Sequence, residues 1–233
     1  MSWVKIPCIL NAMISLQIAV TPPHPPPPIC EQLSTPFEAV LRQRWGPVVV
    51  KCLCWSTALL EMTAIYASHF AHHPGAQKIL AVLVVNGRID EMDASPLFFV
   101  GIALTLLGAS LRYWCYRELG PLFTFEASIR PNHTLVQTGP YRYVRHPATT
   151  GLLLTISGYC CWNTSRGSWL RECGALHTWI GLSLVAVYGV IVLCITTGLV
   201  LRMSLEDRAL AGRFEEWDNY SRRVTYKLVP GVF

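Results

Sequence analysis

The chain has 233 residues, of which 52% are hydrophobic and only 14% are charged, whereas an average soluble domain has about 25% charged residues. This composition disfavours a soluble protein and predicts an integral membrane protein. The net charge of +5 does not indicate nucleic-acid binding, because the basic residues alternate with apolar segments and form no single solvated patch.

The first apolar stretch runs from about Val4 to Val20 and resembles a secretory signal, with Lys5 as its basic region. No A-x-A-like cleavage site precedes the proline tract, so we predict an uncleaved first span. The tract itself, TPPHPPPPIC at 21–30, cannot be helical because successive prolines lack N–H donors. We predict a short stiff linker in polyproline II geometry.

Three further segments have about the ~20 apolar residues that cross ~30 Å of hydrocarbon. They run from about Pro47 to Ala67, Leu97 to Tyr116 and Leu176 to Leu201. Residues 76–87 are too few to cross and are predicted to stay at the interface. Residues 149–162 are marginal in length, and we predict that they form a tight helical hairpin with 176–201. The predicted fold is an all-α, multispan membrane helical bundle with about five membrane elements.

Charge predicts the orientation of the bundle. Eleven of the nineteen cations lie either between the third span and the hairpin or after the hairpin. Both segments are therefore predicted to be cytosolic, and the hairpin returns the chain to the same face, where the two segments can build a site. The cations are Arg112, Arg117, Arg130, Arg142, Arg145, Arg202, Arg208, Arg213, Arg222, Arg223 and Lys227.

Histidines and cysteines are numerous but are not arranged as metal ligands. His69, His72 and His73 fall on a predicted lumenal loop, with no Cys or carboxylate at ligand spacing, so we predict no metal site. The nine cysteines form no CxxC pair and lie mostly in or beside apolar segments. They are predicted to be small buried hydrophobes.

Two motifs on the predicted cytosolic side carry the strongest functional signal. They are HTLVQTGPYRYVRHP at 133–147 and RMSLED at 202–207. Together they resemble the isoprenylcysteine carboxyl methyltransferase family over roughly residues 97–233, which we interpret as a methyltransferase core that follows N-terminal spans and a proline-rich linker at 1–96. The residues that match the family pattern are His133, Leu135, Val136, Gly139, Tyr141, Arg145, His146, Pro147, Gly151, Arg202, Glu206, Phe214, Tyr220 and Val224.

The resemblance implies an enzyme that uses S-adenosylmethionine to methylate the C-terminal carboxylate of a prenylated cysteine, forming a methyl ester. It implies prenylated CaaX-type proteins or prenylcysteine peptides as substrates and membrane lipids as surroundings. It also implies the endoplasmic reticulum membrane, with the active site on the cytosolic face. Neither a metal nor a nucleic acid is part of this prediction.

The same resemblance implies the site residues. Arg202 and Glu206 are the implied catalytic residues, with Arg202 facing the substrate. A guanidinium fork suits a carboxylate, and a carboxylate or an aromatic face stabilises a sulfonium cation. The cofactor site would be built from the loop before the hairpin and the C-terminal helix. The implied cofactor-binding residues are Glu126, His133, Thr134, Leu135, Val136, Tyr141, His146, Pro147, Ala148, Thr149 and Glu206.

Several positions depart from the family pattern and indicate a divergent member. Ala148 and Thr149 stand where the family prefers Ser and Tyr, and Asp207 shortens the second acid of a Glu-Glu pair. Arg142 is explained by snorkelling to the headgroups. For Arg145, a structural and a functional role are both open.

Two other interpretations are open. One is a related membrane chemistry, such as phospholipid N-methylation or a sterol reductase. The acceptor would distinguish it, because an amine headgroup would have no use for Arg202, whereas a carboxylate would. The other is a catalytically inactive paralogue, altered at Ala148 and Thr149, which cofactor binding would distinguish.

Overall fold

The computed structural model describes residues 3–28, 31, 45–85, 88–125, 128 and 133–232. Within these ranges the chain is all-α, with no β-strand, which confirms the predicted fold class. A four-residue helical turn, Trp169–Glu172, precedes the last long helix. The longer helices are α1 (Lys5–Ala19), α2 (Trp45–His69), α3 (Pro74–Leu83), α4 (Pro96–Leu119), α5 (Pro147–Thr164), α6 (Trp179–Arg213) and α7 (Trp217–Arg223).

In the described part of the chain, three segments are long and apolar enough to cross a membrane: Gly46–His69, Pro96–Leu122 and Trp179–Arg213. They confirm three of the predicted spans. The predicted first span is shorter than expected, because α1 has 15 residues and is about 22 Å long, less than ~30 Å of hydrocarbon. The residues of the proline tract up to Pro28 are not helical, as predicted.

The last long helix, α6, extends well past the predicted end at Leu201 and stops only at Arg213. Neither proline nor a strong cap interrupts this polar extension, so the helix continues out of its apolar portion. The extension carries the second motif, residues 202–207. It therefore places that motif at one end of the bundle, beyond the apolar part of the helix.

The centre of the bundle is an antiparallel pair, α4 and α5, packed at backbone contact. Four glycines form the contact, and each lies against the backbone of the opposite helix. A Cβ added at Gly158 would lie 2.5 Å from the Gly101 carbonyl oxygen. The two helices carry the same pattern, G-x-x-L-T-x-x-G, at 101–108 and 151–158. Small residues of this kind allow membrane helices to approach closely.

This pair corrects the predicted hairpin. Residues 149–162 were expected to pack against 176–201, but α5 makes its most extensive interface with α4. Its contact with α6 is small and includes the rings of Tyr159 and Tyr188, whose centroids are 5.5 Å apart. The physical reason is the glycine pattern, which matches α5 to α4, whereas α6 presents large side chains along most of its length.

The short helix α1 packs into the core against α4 and α5. Ile9, Met13 and Leu16 are buried in one cluster with Phe98 and Trp162. This packing gives α1 a place in the bundle that its short length alone would not provide.

A buried ion pair holds the N-terminal end of α1. Lys5, near the start of the predicted first span, lies with Nζ 2.5 Å from Glu61 Oε1 on α2, and both side chains are at most 2% exposed. Nζ also donates to the Gly167 carbonyl at 2.7 Å. A buried charge is stable only with such partners.

Candidate functional site

The candidate site is formed where three segments meet at one end of the bundle. They are the start of α5 at 145–150, the polar extension of α6 at 202–207, and the C-terminal residues 224–228. The backbone joins the first and third segments, because the amides of Arg145 and His146 donate to the carbonyls of Tyr226 and Lys227 at 3.0 and 2.9 Å. The Thr150 hydroxyl adds a bond of 2.8 Å to the Leu228 carbonyl.

Asp207 is the centre of this junction. Its carboxylate lies 3.0 Å from Arg145 Nη1, 2.8 Å from His146 Nε2 and 3.4 Å from Lys227 Nζ. The side chain is only 12% exposed, so these charge-assisted contacts are shielded from water and are stronger than surface pairs. One carboxylate thus joins α6, the start of α5 and the C-terminal segment.

Glu206 lies beside Asp207 and faces Arg202. Arg202 Nε donates to Glu206 Oε1 at 2.6 Å, and a second guanidinium nitrogen donates to the Phe125 carbonyl. His146 Nδ1 lies 3.4 Å from Glu206 Oε2, so the imidazole bridges the two carboxylates. The Glu206 side chain is 28% exposed, which leaves it accessible to a ligand.

The electrostatics of His146 follow from this bridging position. Burial alone would lower its pKa, but the hydrogen bonds to Asp207 and Glu206, together with their negative charges, raise the pKa above the ordinary value. The imidazole is therefore favoured as a cation between two anions. Such a group holds the site together and is not suited to act as a free general base.

Tyr141 faces the same site from the turn that precedes α5. Burial raises its pKa well above the ordinary value, and the nearby Cys115 thiol and Glu206 carboxylate reinforce this direction. The hydroxyl is therefore protonated at physiological pH. The Tyr141 carbonyl accepts a bond of 2.9 Å from the Tyr220 hydroxyl on α7, and Gly139, with φ +56, supplies the left-handed residue of the turn.

The strip from His133 to Val136 runs along the end of α6 and α7. The His133 ring lies 5.7 Å from the Phe214 ring, and Leu135 packs against the cluster of Trp217, Tyr220 and Val224. Thr134 is exposed. This strip therefore contacts α7 and the end of α6, and neither the ring contact of His133 nor the packing of Leu135 involves Glu206. Glu126, predicted as another cofactor residue, lies outside the described residues.

The strip from His146 to Thr149 forms the first turn of α5. Pro147 begins the helix, where its missing N–H is not needed. The Thr149 amide donates to the His146 carbonyl at 3.1 Å. The Ala148 carbonyl accepts a bond of 2.9 Å from Arg112 Nη1 on α4. The structure thus brings together Arg202, Glu206, Tyr141 and the 146–149 strip.

Sequence reasoning missed three contributors to the site. Asp207 was interpreted as a mild shortening of an acid, and Arg112 and Lys227 only as topology-setting cations. The two possible roles of Arg145 are resolved in part, because its guanidinium pairs with Asp207 and also donates to the Thr225 carbonyl at 3.1 Å. The signal in the sequence was the opposite charge of two adjacent pairs, Arg-His at 145–146 and Glu-Asp at 206–207.

We expect the stability of the protein to fall as pH rises through the raised pKa of His146. A histidine whose pKa is higher in the folded protein than in the unfolded chain adds stability that is complete below the unfolded value of about 6.5 and is lost above the folded pKa. Unfolding in detergent should be easier at about pH 8.5 than at about pH 5.5, and His146→Gln should weaken this dependence. Identical pH dependence in both proteins would contradict the expectation.

Comparison with known proteins finds a family that is similar to one segment of the chain. Residues 101–162 match the model described as the isoprenylcysteine carboxyl methyltransferase family. This segment contains most of α4, all but the end of α5 and the loop between them, including the first motif. No solved structure matches the chain significantly.

Two curated relatives are similar over part of their length. The chain is 29% identical over 163 residues to the cobalt-zinc-cadmium resistance protein CzcN of Cupriavidus metallidurans, covering 66% of this chain and 62% of that protein. It is 29% identical over 90 residues to the uncharacterized protein YpbQ of Bacillus subtilis, covering 37% and 54%. The chain therefore spans less than two thirds of the length of either relative. The chain is therefore similar to the isoprenylcysteine carboxyl methyltransferase family at residues 101–162, in agreement with the resemblance found in the sequence.

Proposed function

We propose that the protein is an S-adenosylmethionine-dependent methyltransferase whose acceptor is the C-terminal carboxylate of a prenylated cysteine. The observation that supports this most is the array of Arg202, Glu206 and His146 at one end of a membrane bundle, with Glu206 partly open to ligand. We also propose the endoplasmic reticulum membrane and its cytosolic face as the location, as the family resemblance implies.

The donor set of the described residues fits the cofactor. S-adenosylmethionine carries cationic sulfonium and ammonium groups together with hydroxyl and carboxylate groups. Glu206 offers a carboxylate to a cation, and Tyr141 offers an aromatic face and a hydroxyl. When bound, the cofactor supplies an electrophilic methyl group.

The aliphatic face of α6 beside Arg202, which includes Val200, Leu201 and Leu205, is exposed and offers an apolar surface to a prenyl chain.

The chemistry requires placement more than proton transfer. A prenylcysteine carboxylate is already ionised near pH 7, so the site needs no general base. This agrees with His146, which is bound between two carboxylates. Arg202 would hold the acceptor carboxylate by its guanidinium, and correct orientation of two reactants supplies several kcal/mol. Exclusion of water favours a step in which opposite charges are lost.

The direct test is methyl transfer in isolated membranes from labelled S-adenosylmethionine to N-acetyl-S-farnesylcysteine. A base-labile methyl ester is the expected product. A base-stable methylated amine on a lipid would instead support phospholipid N-methylation. Absence of both transfer and cofactor binding would support an inactive paralogue.

Arg202→Lys is expected to raise the KM for the prenylcysteine acceptor about tenfold or more, while cofactor affinity changes less. Lysine keeps the positive charge beside Glu206 but loses the fork that suits a carboxylate. The matched control is Arg208→Gln, an exposed cation on the same helix, which should leave both constants near those of the wild type. If Arg202→Lys keeps the wild-type acceptor KM and turnover, Arg202 does not bind the acceptor.

A further inference from the structure

Arg112 is a buried cation that the proposed chemistry does not use. It lies on α4, within a candidate membrane span, and is only 7% exposed. Its Nε lies 2.5 Å from the Ala19 carbonyl oxygen, at the end of α1, and 2.8 Å from the Tyr116 hydroxyl oxygen. Its Nη1 donates to the Ala148 carbonyl at 2.9 Å. One guanidinium therefore joins α1, α4 and the first turn of α5.

Aromatic rings surround the same guanidinium. Its Cζ lies 5.5 Å from the Tyr116 ring centroid, 5.6 Å from that of Phe123 and 4.9 Å from that of Phe125. Cation–π contacts are stronger at desolvated positions than at exposed ones. The rings and carbonyl oxygens together compensate the burial of a charge and hold the fork in one orientation.

These contacts reach both sides of the candidate site. The Ala148 carbonyl belongs to the 146–149 strip, so its bond to Arg112 holds the first turn of α5. The Phe125 ring packs on the guanidinium, and the Phe125 carbonyl accepts a bond from Arg202, which in turn holds Glu206. The 146–149 strip on one side of the site and Arg202 on the other are thus both connected to the Arg112 side chain.

We propose that Arg112 is a positioning residue of the site and that α1, through the Ala19 carbonyl, is part of the support for that residue. The kinetic part of this inference rests on the proposed function, whereas the structural part does not. The α1 helix lies outside the matched family segment, yet its last carbonyl fixes a side chain inside that segment. Arg112 acts through Ala148 and Phe125 and is not assigned a contact with substrate.

The kinetic test compares Arg112→Gln and Arg112→Lys with Arg117→Gln, an exposed cation on the same helix. Arg112→Gln should raise the KM for S-adenosylmethionine roughly ten- to hundredfold and lower stability. Arg112→Lys should recover much of the stability, because it keeps the cation among the rings, but little of the KM, because one ammonium cannot replace a fork bound to both Ala19 and Ala148. Arg117→Gln should resemble the wild type. If stability and KM recover together in Arg112→Lys, the role is only structural and the proposal is wrong.

A second measurement separates this inference from the proposed function. If the wild type neither binds the cofactor nor transfers methyl, the proposed function fails, and amide exchange then tests Arg112 alone. In Arg112→Gln, the amides of Thr149 and Thr150, which donate to the His146 carbonyl, should exchange at least about tenfold faster. The amides in the second half of α5 should be unchanged. Wild-type exchange at Thr149 and Thr150 would overturn the proposal.

Discussion

Glu206→Gln is expected to lower kcat/KM for S-adenosylmethionine by about a hundredfold, which corresponds to about 3 kcal/mol. Glutamine keeps the volume of the side chain but removes the charge that faces Arg202 at 2.6 Å and His146 at 3.4 Å. Removal of one partner from a partly buried ion pair leaves the other cation uncompensated. The loss should therefore appear in cofactor affinity and in the arrangement of Arg202.

The matched control for this variant is Glu215→Gln, which changes an exposed acid just after the end of α6. It should retain wild-type kinetics. The pKa of His146 should also fall in Glu206→Gln, because one of the two carboxylates that raise it is removed, and titration of the imidazole by NMR would measure the change. Wild-type cofactor affinity in Glu206→Gln would show that Glu206 is not a cofactor ligand.

The membrane helices were predictable from the sequence because hydropathy and length report on them directly. The spans at α2, α4 and α6 were confirmed within the described residues. The pairing of helices was not predictable in the same way. Chain order favoured a hairpin of α5 with α6, but Gly151 and Gly158 match Gly101 and Gly108 on α4, and close backbone packing outweighs proximity along the chain.

The role of Lys5 could not be predicted because its partner is distant in the chain. In the sequence it precedes an apolar run and suggests a signal peptide or a span end. In the structure it is buried against Glu61, 56 residues later, which is a contact that periodicity does not reveal. A buried charge pair of this kind fixes α1 on α2, so α1 is a component of the bundle.

The candidate site was predictable as a set of motifs but not as a network. Family resemblance named His146, Tyr141 and Glu206, and the structure brings these residues together. The resemblance could not assign a role to Asp207, because a conservative change in a motif gives no information on which side chains the residue contacts. Arg112 was missed because an arginine near a span end is normally explained by topology, and its burial appears only when helices are packed.

Gly158→Ala is expected to destabilise the protein by about 3 kcal/mol, at the upper end of the range for an overpacked core. The new Cβ would lie 2.5 Å from the Gly101 carbonyl oxygen and 2.5 Å from the Thr105 backbone nitrogen and hydroxyl oxygen on α4. Two of these contacts are backbone atoms, which cannot turn aside as a flexible side chain can. The helices must therefore move apart, and the Gly108–Gly151 contact would weaken with them.

The control is Gly189→Ala, on α6, where an added Cβ meets no atom within 4 Å. The same substitution should there be neutral or stabilise the helix by up to about 1 kcal/mol, because alanine has the higher helix propensity. Denaturant unfolding in one detergent would compare both variants with the wild type. Since 101–108 and 151–158 lie in the matched family segment and α5 begins at the site, separation of α4 and α5 should also lower cofactor affinity in Gly158→Ala. Equal stability of the two variants would show that α4 and α5 are not in backbone contact.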